Sequence, residues 1–505
     1  SFPTRRSSDL LTQTGSLTAA LRLGPQILGQ QRLDVINAPK LLLLTDWDAL
    51  YAEFRDTEMP VHADENSNDA HDLFDLVARL QQYTRVHRGV VVDLSQAITT
   101  DSSYPMNYAD LDYGQDKASR LQMGHLIDQL IADLNIQTYD SFQNVVLLGD
   151  DQVVPFYRVY DPTDFYNKFN QNHPQVYQSR EIAYPETVGG TQENATLLDS
   201  HAAYIMSDVP YGIRAHQVIT RGTWLSMLPD LPRWATYPEP EMGVGRIFAA
   251  YPYELVEAIE RYDTPLHMTP GTARAALFRA LDKTETDETI VDFSALAERS
   301  LFPEIRDWFG ANLQDYDQVA RSWEAAQLAS ALGDYDLVSW WGHTTHQTLH
   351  VNSMWAIEHT DVQDVYISKS VAFVGLGCHL GYSVSRHPDG GGPVYPYARG
   401  IVNALIPKGV TYFAPSSYAY TWPKAFRSSN LHELFIAQFA NHLMDYTAPT
   451  VGSVWQKSFH PYHATDPAVV ENNNPGTRIF HIAAAYGNVL YGLPTQPIER
   501  VRPRG

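Results

Sequence analysis

The sequence predicts an α/β protein made of two tandem doubly wound units, each a mostly parallel sheet flanked by helices. Two observations predict this. Short apolar runs bounded by Gly, Asp or Pro alternate with segments of 3.6-residue apolar period, the pattern of parallel strands joined by helical crossovers. The alternation occurs twice, on either side of a stretch at about 155–240 that is rich in Tyr, Pro, Asn and Asp and has little periodicity. A chain of 505 residues is roughly three domains' worth at about 150 residues each, which leaves room for two such units and an insertion.

Taken in order, 40–44 (KLLLL) and 89–94 (GVVVDL) read as buried strands, with a helix at 72–81 between them. A second helical period at 126–134 leads into the strand 144–148 (NVVLL), which ends in Gly149 and Asp150. Regular structure resumes after the insertion at 242–250 (MGVGRIFAA) and in a helix at 253–262. These elements define a first unit at 39–268, preceded by an extension at 11–38. The second unit, 269–498, reads as strand 275–281, helices 294–313 and 323–332, strands 335–341 and 371–376, helix 398–405, strand 411–414 and helix 431–446, with a tail at 499–505. The first ten residues, SFPTRRSSDL, match an in-frame reading of a common sequencing-adapter string. They are set apart from the fold as an assembly artefact, as expression scars are.

Composition excludes several function classes. The formal charge of −22 argues against nucleic acid or an anionic membrane as partner, because phosphate binding needs clustered cations. No run approaches the roughly 18 to 20 apolar residues of a membrane span. The single cysteine, Cys378, rules out a disulfide within this chain and any zinc site built here on two thiolates. It remains as inert filler or as a nucleophile.

Open α/β sheets bind ligands at the carboxyl edge of their strands, and two strand ends in the second unit carry reactive side chains. Strand 335–341 runs into Gly342 and His343, and strand 371–376 runs into Gly377 and Cys378. A thiol needs a neighbouring base to attack efficiently at neutral pH, and imidazole is the usual supplier. Other patterns are weaker. Gly375, Gly377 and Gly381 follow a strand, but loop chemistry rather than a phosphate-binding helix comes next. His343, His346, His350 and His379 lack helical metal-ligand spacing. Asp64, Asn66, Asn68 and Asp75 sit at calcium-loop spacings, with Asp69 where Gly is expected. Glycines 390–392 read as a loop flanking the cleft.

The pieces YDLVSWWGHTTH, VAFVGLGCHLG and KGVTYFAPSSYAYTW resemble the gingipain-type cysteine peptidases of the caspase-like clan, peptidase family C25. In that family one strand ends in Gly-His-Gly and a later one in Ala/Gly-Cys. NVVLLGDDQVVP, SDVPYG, EMGVGRIFAAYPYELVEAIERY and VLYGLPTQPI are similar to further family segments, in the family's order. The resemblance implies a caspase-like, gingipain-type fold and a cysteine endopeptidase that forms a thioester acyl-enzyme, with His343 and Cys378 as its dyad. The imidazole would act as general base to the thiol and then as general acid to the leaving amine.

Two backbone amides, those of Cys378 and Thr344, would form the oxyanion hole. Here the sequence departs from the family, with Thr344 in place of Gly. The resemblance also makes Asp282 or Glu285 a candidate acid for orienting the histidine, Asp292 a candidate floor of the specificity pocket, and Trp422 a candidate aromatic lid. An acidic floor would favour Arg or Lys before the cut; the alternative for DKTETDETIVDF is a solvated acidic loop. The resemblance further implies protein or peptide substrates, no catalytic cofactor, a structural calcium ion as an option, and a secreted or cell-surface bacterial protein. The Thr344 departure motivates the competing reading, a catalytically inactive caspase-like module that binds or scaffolds within a larger surface protein.

Overall fold

A computed structural model describes residues 16–23, 26–34, 38–56, 69–99, 117–160, 204–214, 240–280, 297–298, 302–317, 325–345, 347–351, 356–383, 400–416, 419, 432–459 and 483–502. Ten strands form one central sheet. In chain order they are β1 (Leu41–Thr45), β2 (Gly89–Asp93), β3 (Asn144–Leu148), β4 (Gly243–Ile247), β5 (Ala275–Arg279), β6 (Leu313–Asp317), β7 (Leu337–Trp341), β8 (Ala372–Leu376), β9 (Thr411–Pro415) and β10 (Asn488–Tyr491). Their spatial order is β6-β5-β7-β8-β9-β10-β4-β3-β1-β2.

The two sequence units therefore share a single sheet. Strands β1 to β4 are mutually parallel, as are β5 to β9, while β10 runs antiparallel to β9. The first four strands of each half lie in the same order: second, first, third, fourth.

Helices on the sheet faces explain why the central strands are apolar throughout rather than alternating. Leu41 to Leu44 and Val145 to Leu148 are fully buried, as are Trp340 and Trp341 at the end of β7. Each such side chain contributes roughly 1.5 to 3 kcal/mol on burial. The helix Pro252–Tyr262 illustrates the local logic. Proline stands in its first turn, where its missing N–H costs nothing, and Glu254 reaches back to accept the Tyr251 amide at 3.2 Å. Leu255, Ala258, Ile259 and Tyr262 form its buried stripe.

Several elements differ from the sequence reading. Of the helix expected at 294–313, the described residues 297–298 and Phe302–Phe309 are helical, and it ends earlier than expected in a 3-10 turn, because Gly310 takes a left-handed φ of 54°. Leu313 then begins the edge strand β6, whose Asp315 pairs with Arg279 of β5 at 2.5 Å. The irregular span at 155–240 contains an antiparallel pair, Tyr157–Tyr160 with Tyr204–Ser207, and the 3-10 turn Val209–Gly212. Helices Trp47–Asp56, Leu94–Thr99 and Val451–Phe459 were not legible as periodic segments. The extension forms a hairpin, Ser16–Leu23 with Gln26–Asp34.

The seam between the halves lies at β10 and β4, where Tyr491 pairs with Arg246 and the Gly492 amide donates to the Arg246 carbonyl at 2.9 Å. The Arg246 side chain is fully buried and bidentate on Asp208, at 2.6 and 3.0 Å. It also donates to the carbonyls of Gly149, Asp150 and Val154 and lies over the Phe156 ring at 4.0 Å. Beside it, Arg158 and Asp151 form a second buried bidentate pair at 2.5 Å. The Gly-Asp-Asp, Ser-Asp and Gly-Arg segments, far apart in sequence, thus meet in one ion cluster.

Candidate active site

Strands β7 and β8 are adjacent and parallel, with Trp341 opposite Leu376. The ladder continues one step further, the Gly342 amide donating to the Leu376 carbonyl at 3.1 Å. His343 and Cys378 therefore leave the sheet at matching positions of neighbouring strands, each two residues past the paired Trp341 and Leu376. This is the juxtaposition that the two Gly-terminated runs predict. His343 is exposed and Cys378 half-buried.

After β7 the chain folds into a tight hairpin. His350 donates its amide to the His343 carbonyl at 2.9 Å and Thr345 its amide to the Thr348 carbonyl at 2.9 Å, which leaves Thr344 and Leu349 as a non-hydrogen-bonded antiparallel pair. Such a pair turns the Thr344 N–H away from the partner strand. The Thr344 side chain fills the space that Gly377, lacking a Cβ, leaves open. Its Oγ1 donates to the Cys378 carbonyl at 2.7 Å, and a Cβ on Gly377 would lie 2.3 Å from that oxygen.

Cys378 begins a compact turn. The next residue, His379, holds a left-handed φ of 56°, uncommon for a residue other than glycine. It is buried, with Nδ1 at 3.4 Å from the Ser416 carbonyl. Burial pulls its pKa down to about 4, the Ser416 contact opposing, so the ring is neutral near pH 7. Burial also pushes the Cys378 thiol up, while hydrogen bonds from the Ala419 backbone and from its own amide draw it back. The net shift is upward and favours the thiol over the thiolate.

Asp282, Glu285, Asp292 and Trp422 lie outside the described residues, as do Asp64, Asn66, Asn68, His346 and glycines 390–392. Asp75 is exposed on the helix Asp69–Val86. Among the described residues no group of three or more His, Cys, Asp or Glu side chains could hold a metal ion, and no helix is long and apolar enough to cross a membrane. A cavity of about 440 Å³ is lined by Glu254, Glu257, Arg261, Asp364 and Lys408 among others, and neither His343 nor Cys378 lines it. Burial raises Glu254 there to about 7.

Residues 72–483 match the family described as Peptidase family C25. The chain belongs to peptidase family C25. Membership makes it a cysteine peptidase by family, acting on protein or peptide substrates. The crystal structure of the Arg specific cysteine proteinase gingipain R is similar at 13% identity and a TM-score of 0.49, covering 93% of this chain and 80% of that one. A complex of Porphyromonas gingivalis RgpB pro- and mature domains is similar at 13% identity and a TM-score of 0.48, over 92% of this chain and 81% of that one. No curated protein matches the chain.

The sequence reading of this C25 peptidase missed the hydroxyl groups that hold the Cys378 turn, those of Thr344, Tyr412 and Tyr491. A hydroxylated residue in a buried run was the available signal, since a buried hydroxyl needs a partner.

Proposed function

We propose that the protein is a cysteine endopeptidase in which His343 takes the proton of Cys378 as the thiolate attacks the scissile carbonyl. The matching position of the two residues on adjacent parallel strand ends carries this reading. The tetrahedral oxyanion is held by the Cys378 and Thr344 amides. The non-hydrogen-bonded pairing of Thr344 supports its part, because the N–H is directed away from the hairpin. Collapse of that intermediate gives a thioester, with His343 returning the proton to the leaving amine, and water then releases the acid.

Because the thiol is held protonated by burial, the histidine works as a general base rather than as the imidazolium partner of a standing thiolate. Arg or Lys precedes the cut, with Asp292 as the acidic floor of the pocket, Trp422 as its lid and Asp282 or Glu285 orienting His343. The charge of −22 suits cationic substrates. The protein acts outside the cell or at its surface, as the gingipain resemblance implies.

The test is a set of peptides differing only at the residue before the cut, with products located by mass spectrometry. Cleavage after Arg or Lys that Cys378→Ala and His343→Ala each abolish supports the assignment. Cleavage at neutral residues only, or cleavage that persists in Cys378→Ala, contradicts it.

A further inference from the structure

Three hydroxyl groups reach the turn that follows Cys378, from the loop after β7, from β9 and from β10. Thr344 donates to the carbonyl of Cys378 at 2.7 Å, Tyr412 of β9 to that of Leu380 at 2.8 Å, and Tyr491 of β10 to that of Gly381 at 2.7 Å. The remaining carbonyls close the turn on itself, Gly377 accepting from Leu380 at 3.4 Å and His379 from Tyr382 at 3.0 Å. From the other side, the Gly381 amide donates to the Pro415 carbonyl at 2.6 Å.

Tyr412 and Tyr491 are opposite one another in the β9–β10 register and are fully buried. Phe373 stacks on Tyr412 at 4.7 Å, and Phe248 meets Tyr491 edge-on at 5.8 Å. Tyr491 also lies beside Arg246, paired with it across the seam. Burial raises both phenols, so they stay protonated and act as donors.

A core phenylalanine would fill the same space. What the hydroxyl adds is a fixed point for a turn that carries a left-handed non-glycine residue, His379, directly after the thiol. Without the two phenols, the Leu380 and Gly381 carbonyls lose their partners and the turn can relax out of that conformation. We propose that Tyr412 and Tyr491 are positioning residues, which hold the Cys378 turn in register with His343 by clamping the Leu380 and Gly381 carbonyls. The role in peptide hydrolysis rests on the assignment of Cys378 as nucleophile. Through Tyr491, the first half of the chain, which supplies neither member of the dyad, braces the nucleophile.

The test uses the whole chain and its single thiol. Iodoacetamide reacts with the thiolate, so alkylation across pH reads how Cys378 is seated without requiring peptide hydrolysis. Steady-state kinetics on a peptide amide read the reaction. Tyr412→Phe and Tyr491→Phe are each expected to speed alkylation near pH 8 by about threefold, the effect of a half-unit fall in thiol pKa. Each is expected to lower kcat by about tenfold with KM within about twofold. Tyr262→Phe is the control: that phenol is equally buried and donates to the Val410 carbonyl at 2.9 Å, at the opposite end of β9 from the turn.

Alkylation unchanged in both turn variants, or changed as much in Tyr262→Phe, overturns the inference. A wild-type chain that hydrolyses no peptide, but whose alkylation still responds to the turn variants and not to the control, overturns the peptidase assignment and leaves the clamp standing.

Discussion

Thr344 Oγ1 donates to the carbonyl oxygen of Cys378 at 2.7 Å, across the gap between the two strand ends that carry His343 and Cys378. The threonine replaces a glycine of the family pattern, and the sequence alone reads it as an obstacle to the oxyanion hole. The hairpin sends its side chain into the space above Gly377, and the bond to Cys378 links the His343 loop to the Cys378 turn. Thr344→Val keeps the shape and removes the donor. We expect it to lower kcat about tenfold, with Thr344→Ser close to wild type, read by steady-state kinetics on a peptide amide.

Gly377 is the partner in that arrangement. A Cβ there would meet Thr344 Oγ1 at 2.3 Å, Thr344 Cγ2 at 2.5 Å and the Gly342 carbonyl at 2.8 Å. Gly377→Ala is expected to cost about 1 to 3 kcal/mol of stability by overpacking. Two of the three clashes involve the threonine side chain, so adding Thr344→Ala should recover part of the loss. Denaturant unfolding of the single and double variants measures both effects.

His379 gives a pH dependence of defined sign. Its folded pKa of about 4 lies below the ordinary 6.5, so the unfolded chain binds the proton more tightly. The stability this contributes is fully present above about pH 6.5 and is lost as pH falls toward 4. Glu254, raised to about 7, and Asp93, raised to about 6 by burial, act in the opposite sense and are shared by any variant at position 379. The comparison is therefore with His379→Asn, which tolerates the left-handed φ. Wild type should lose about 2 kcal/mol relative to this variant between about pH 7.5 and pH 5, measured by urea unfolding.

The Arg246–Asp208 pair holds the seam. Arg246→Met leaves the Asp208 carboxylate buried without its partner and should destabilise by about 3 to 5 kcal/mol. Arg246→Met with Asp208→Leu should recover much of that, because an apolar pair of similar volume avoids the orphaned charge. Chemical denaturation of the three chains checks this.

Strands such as β1, β7 and β8 were legible because they are apolar runs buried throughout, and β7 and β8 were placed to within two residues. The neighbouring placement of His343 and Cys378 followed because each stands just past a glycine at a strand end. What periodicity could not reveal was the single sheet joining the halves, which depends on β10 reaching both Tyr412 and Arg246. The edge strand β6 escaped for a local reason: LQDYD has no apolar run, and it is strand only because β5 supplies its ladder. The hydroxyl tethers were hidden because Tyr412 and Tyr491 read as ordinary core residues until their partners, two turn carbonyls, are known.

The central claim is that Cys378 is a nucleophile activated by His343. Labelling with a peptidyl chloromethyl ketone ending in Arg, followed by intact mass and peptide mapping, tests it most directly. The account predicts one adduct per chain, on Cys378, formed far faster than with free cysteine and slowed by about a hundredfold or more in His343→Ala. Labelling no faster than that of free cysteine, or unaffected by His343→Ala, would contradict it and favour an inert binding module.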